Sequence, residues 1–121
     1  MSKYSFSVSE RYAVYTVHGE RCYLCNKPID FASMEIDHVI PESLLGTKHL
    51  SEVLNKYGLT SDFSINGFEN WLPSCRKCNN EKSDHIFNPT PIIQVLLDKL
   101  AAKREKALEL SQKADLAKKN R

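Results

Sequence analysis

Two cysteine pairs constrain this chain more than any other feature. Cys22-Tyr-Leu-Cys25 and Cys75-Arg-Lys-Cys78 each have the spacing C-x2-C, and 49 residues separate them. A turn of that length aims two thiolates at one point. Two such knuckles therefore predict a closed four-thiolate zinc site built from Cys22, Cys25, Cys75 and Cys78. Two disulfides would need an oxidising compartment, and the opening MSKYSFSVSERY lacks the basic-then-apolar pattern of a secretory signal. A redox-active C-x-x-C would leave the second pair unexplained. A zinc staple also suits a chain of 121 residues, whose core is small. The gap exceeds that of an ordinary zinc ribbon, so a sizeable insertion lies between the knuckles.

The chain is 41% hydrophobic and 26% charged, a balance that excludes wholesale disorder. No window approaches 18 consecutive apolar residues, so no membrane span is expected. Seventeen Lys and Arg oppose fifteen Asp and Glu, for a net +2. The charge is unevenly spread: Asp98 to Arg121 holds eight basic and four acidic residues, leaving the remainder at −2. A net-negative body argues against a broad electrostatic grip on nucleic acid by the core alone.

Ser7 and Glu10 form a capping-box pattern, predicting a helix over 9–18 that Gly19 ends. Met34–Ile40 reads as a strand stopped by Pro41. Apolar residues at 50, 53, 54 and 57 predict an inserted amphipathic helix over 49–57, with Gly58 as its C-cap. Asn66-Gly67 is a turn, and Asn70–Ser74 is a short extended run entering the second knuckle, followed by a helix over 76–84. After Pro89-Thr-Pro91 nothing interrupts a helix to the end of the chain. Its positions 93, 96, 100, 103, 107, 110, 114 and 117 form a seam broken only by Lys103. The seam suits a short coiled coil, including a homodimer, or a helix packed on the core at its apolar end. The final AKKNR carries no stop signal, as in a chain that continues into a longer protein. The expected division is 1–90 as the folded domain and 91–121 as a helical extension, a linker or coiled coil.

A second constellation surrounds the knuckles: Asp37-His38, Asn70 five residues before Cys75, Asn79 directly after Cys78, and Lys82. Taken singly these residues read as a solvated charge, an ordinary histidine, a turn residue, a helix cap and a solvated lysine. Taken in order, with this spacing, they are far more specific. A histidine near neutral pKa can take a proton from water. A carboxylate and an amide carbonyl suit a hard ion such as Mg2+ or Mn2+. The Asn70 amide can tie two backbone segments together. Neighbouring strand residues point to opposite faces, so Asp37 and His38 share a site only if the strand bulges or ends there. Glu35, on the same strand face as Asp37, reads as an exposed carboxylate ahead of a group that supports the ligands from behind, and Trp71 reads as core.

The run D-H…N…C-x2-C-N-x2-K, from Arg11 to Asp84, resembles the HNH family of nucleases. The resemblance implies an α+β fold with a small ββα-metal core, the paired zinc knuckles, and N-terminal, inserted and C-terminal helices around it. It implies a metal-dependent endonuclease that nicks or cuts DNA in the cytoplasm of a bacterial or phage-infected cell. His38 would be the general base and Asn70 would hold the catalytic loop. Asp37 and Asn79 would hold the Mg2+ or Mn2+, while zinc stays structural. Lys82, which resembles the family's lysine, would contact phosphate, and the residues themselves add Lys77, Arg76 and the basic terminal helix as further phosphate contacts. The 31 residues between His38 and Asn70 exceed the compact loop of many members, and the helix beyond Pro91 has no counterpart in the minimal motif. The alternative is a non-catalytic zinc-stapled module that binds nucleic acid or protein; it would need the cysteines but not Asp37, His38 or Asn79.

Overall fold

The first helix begins where its caps dictate. In a computed structural model that describes residues 3–83 and 85–119, α1 (Val8–Val17) is opened by a reciprocal pair. The Glu10 amide donates to Ser7 Oγ at 3.1 Å, and the Ser7 amide donates to Glu10 Oε1 at 2.9 Å. Two strands and three α-helices follow, β1 (Glu35–His38), α2 (His49–Lys56), β2 (Trp71–Ser74), α3 (Arg76–Lys82) and α4 (Pro91–Lys119), with short 3-10 turns at Glu42–Leu44 and Phe68–Asn70.

β1 and β2 pair antiparallel, with Glu35 opposite Ser74 and His38 opposite Trp71. The strand expected over 34–40 is shorter because Asn70 takes over the chain beyond His38. Its carbonyl accepts from the Val39 amide at 3.0 Å, and its side-chain Oδ1 accepts from the Ile40 amide at 2.8 Å. α3 leaves β2 directly and ends at Ser83, whose φ of 51° breaks the helical repeat. Asp84, the last residue of the expected helix, lies outside the described residues, as do residues 120 and 121 of the terminal one.

The inserted segment carries α2, which buries Val53, Leu54 and Tyr57 and stops at Gly58, where φ is +69°. Left-handed backbone at that position is free for glycine and strained for most other residues. These side chains meet Val39, Ile40, Ile65 and Leu72 in one core, which Leu97 and Leu100 of α4 complete. The core therefore runs across the expected boundary at residue 90. α4 lies antiparallel on α1: Ser111 Oγ donates to Ser9 Oγ at 3.5 Å, and Lys103 Nζ donates to the Val17 carbonyl at 3.2 Å. Of the predicted seam, Leu100 and Ala107 are buried within the chain and Ala117 is exposed. Among the described residues, no helix is long and apolar enough to cross a membrane.

Candidate active site and metal centre

The two knuckles converge. The sulfurs of Cys22, Cys25, Cys75 and Cys78 all lie within 4.8 Å of one another, with Cys25 and Cys75 at 4.0 Å. A tetrahedral ion with Zn–S of ~2.3 Å would set sulfurs ~3.8 Å apart, so the cluster is positioned to hold a metal ion. Asn26 turns the first knuckle with φ 61°, a left-handed conformation that asparagine tolerates. Cys75 begins α3 and accepts the Cys78 amide at 3.5 Å. The four thiols perturb one another. Burial raises the Cys22 thiol, but the backbone amides of Cys25, Cys75 and Leu24 outweigh it and bring it down to about 7. Hydrogen bonding to Cys75, then burial, pushes Cys78 up to about 12. Four sulfurs this close hold their negative charge together only around a cation.

The first knuckle also reaches the second constellation. Tyr23 lies between the two cysteines; its amide donates to the Pro73 carbonyl at 3.0 Å and its hydroxyl donates to Asp37 Oδ2. Burial, then the Asp37 charge, raises the Tyr23 phenol, which keeps it a donor. The other carboxylate oxygen of Asp37 accepts from Lys82 Nζ at 3.2 Å, and that ammonium also donates to the His38 carbonyl at 2.9 Å. Lys82 is 8% exposed, so it does not lie on a solvated helix face.

His38 closes β1, so the strand ends where Asp37 and His38 must serve one site. The imidazole Nε2 lies 2.7 Å from Asn66 Oδ1. Asn66 Nδ2 in turn donates to Glu42 Oε2 at 3.0 Å. Trp71 is buried, as expected, with Tyr4, Phe6 and Phe68 around it. Asn70 has no exposure. Its Nδ2 donates to the carbonyls of Ile40 at 3.0 Å and Ile65 at 2.8 Å, tying the end of the first strand to the end of the inserted loop.

Asn79 does not cap α3; Cys75 does. Its Nδ2 donates to Glu35 Oε1 at 2.9 Å, which commits the amide end and leaves the carbonyl oxygen as an acceptor. Glu35 is thus not a free carboxylate: it orients Asn79 and meets Arg76 Nε at 3.7 Å. Arg76 and Lys77 are exposed on α3. Asp37, His38, Asn79 and Lys82 line one open cavity of about 470 Å³, together with Glu42 and Phe6.

The site roles of Tyr23, Asn66 and Glu42 were absent from the sequence reading, while Glu35 takes the supporting role that was its less favoured alternative. Asn66 offered only a turn signal, and Tyr23 only its place inside C-Y-L-C. Comparison with protein-family models, curated proteins and solved structures returned no significant match.

Proposed function

We propose that this chain is a metal-dependent endonuclease of the HNH type that hydrolyses phosphodiester bonds in DNA. The observation that carries this reading is the single cavity lined by Asp37, His38 and Asn79. It opens at the end of a two-stranded sheet followed by a helix, beside a four-cysteine cluster. That arrangement suits a ββα-metal core with zinc as its structural ion.

In this reading His38 takes a proton from water and Asn70 holds the chain on either side of it in place. Asp37 and the free carbonyl of Asn79 are oxygen donors facing the same cavity, a donor set that fits Mg2+ or Mn2+. Such an ion neutralises charge on the phosphate when bound. Arg76 and Lys77 present positive charge on the exposed side of α3 for the DNA backbone. The net-negative body makes these local contacts matter more than overall charge.

One observation favours a second reading. Both oxygens of Asp37 already accept hydrogen bonds, from Lys82 and Tyr23. A carboxylate so engaged also suits a non-catalytic zinc module in which Asp37 is a structural counter-ion. Cleavage of supercoiled plasmid in Mg2+ or Mn2+ separates the two. The endonuclease reading expects nicked or linear product from the wild type. It expects none from a folded, zinc-loaded His38→Ala variant, and loss of the fold in Cys25→Ala. DNA binding without cutting in either metal favours the module.

A further inference from the structure

We propose that Asn66, backed by Glu42, is a positioning residue that holds His38 as its Nε2–H tautomer and leaves Nδ1 as the proton-accepting atom. The inference deepens the endonuclease reading and rests on it for the catalytic role of Nδ1.

Followed from its carboxylate end, the chain of contacts through Asn66 gives one proton assignment. Glu42 Oε2 accepts from the Tyr4 amide at 2.9 Å and from Asn66 at 3.0 Å. A carboxylate only accepts, so the NH2 end of Asn66 must face it and the carbonyl end must face His38. That carbonyl also only accepts, so the nitrogen 2.7 Å away carries the hydrogen. Trp71 Nε1, also a donor, lies 3.3 Å from the same nitrogen. That indole N–H would be satisfied by the opposite tautomer; the contact to Asn66 is shorter and backed by a carboxylate, and it decides. A neutral imidazole carries one N–H, so Nδ1 keeps its lone pair. Among the described residues Nδ1 has no hydrogen-bond partner. Phe6 and Trp71 flank the ring at centroid distances of 6.0 and 6.4 Å. Gly67 lets the turn close: a Cβ there would come within 2.8 Å of Ser64 Cβ.

Long-range 15N–1H NMR of the full zinc-loaded chain at mildly alkaline pH reads the tautomer, with His38→Ala assigning the signal. The expected pattern is Nε2–H in the wild type, shifted toward a mixture in Asn66→Ala and, less, in Glu42→Gln. In plasmid cleavage Asn66→Ala lowers kcat by about 10–100-fold with KM for DNA unchanged. An Nδ1–H wild type, or an unchanged pattern in both variants, overturns the proposal. If Asn66→Ala does not fold, the wild-type pattern and Glu42→Gln decide. A wild type that shows the Nε2–H pattern, loses it in Asn66→Ala, and never cuts DNA keeps the positioning contact and removes the endonuclease reading.

Discussion

Lys82 Nζ lies 3.2 Å from Asp37 Oδ1, and the two side chains are only 4% and 5% exposed. The pair joins α3 to the end of β1 across 45 positions of sequence. Buried charges this well enclosed are tolerated only together. Removing one partner leaves the other uncompensated, at a cost of about 3–5 kcal/mol. Lys82→Met should therefore destabilise the zinc-loaded chain by that order in urea unfolding. Lys82→Met combined with Asp37→Asn should recover more than half of the loss. A double variant whose loss equalled the sum of the losses in Lys82→Met and Asp37→Asn would show that the pair is not coupled.

Stripping the metal should unfold the protein. Apparent binding of zinc to four thiolates is worth ~10–16 kcal/mol, as much as or more than the ~5–15 kcal/mol that holds a domain of this size together. Circular dichroism during titration with a strong zinc chelator should show cooperative loss of helix, reversed by zinc. A chelated chain that kept its helical signal and near-UV spectrum would contradict a structural ion.

α4 should be part of the folding unit. Leu100 is 1% exposed and belongs to the one core that holds residues of α2 and of both strand ends. Leu100→Ala should cost about 2–5 kcal/mol, the range for emptying a leucine from a tight core. Truncation after residue 90 should yield an unfolded or aggregated chain even with zinc. A truncated chain that unfolded cooperatively at the full-length midpoint would return the helix to the status of a linker.

Tyr57→Phe should stabilise. The Tyr57 hydroxyl is buried with no hydrogen-bond partner among the described residues, and burial raises its pKa. An unpaired buried hydroxyl costs about 1–3 kcal/mol relative to water, so deleting the oxygen while keeping the ring should gain on the order of 1 kcal/mol. A loss of that size would reveal an unseen partner.

Acid should weaken the fold partly through His18. Burial first, then the charges of Lys103 and Lys99, lowers its imidazole from 6.5 to about 4. Above pH 6.5 both folded and unfolded chains hold it neutral, and it contributes nothing to the pH dependence. Between 6.5 and about 4 the unfolded chain takes up a proton that the folded chain refuses, so stability falls with pH. At ~1.4 kcal/mol per unit the total is on the order of 3 kcal/mol. Acid also weakens metal binding by thiolates, so the readout is the difference from His18→Gln. That variant should lose less stability between pH 7 and pH 4.5; parallel curves would rule the histidine out.

The elements most legible in the sequence are those whose cause is local. Ser7 and Glu10 sit one turn apart and cap α1 as read; the 50, 53, 54, 57 repeat marks the buried face of α2; C-x2-C turns bring sulfurs together within four residues. β1 came out shorter than its apolar pattern because Asn70, more than thirty residues downstream of Met34, claims the backbone at Ile40. Lys82 read equally well as solvent-facing, since nothing within one helical turn says what packs over it.

What the residue order settled was the inventory and the short-range geometry: four thiols in two turns, a carboxylate beside a histidine, an asparagine on each side of the second knuckle. What needed the folded chain was which of these are satisfied and by whom. Glu35 turns Asn79, Tyr23 and Lys82 hold Asp37, and Glu42 through Asn66 holds His38. All five contacts join segments 14 to 45 residues apart. Spacing along a chain encodes turns and helix faces, but hydrogen-bond partners across such distances exist only once the sheet, the inserted loop and α3 are packed around one centre.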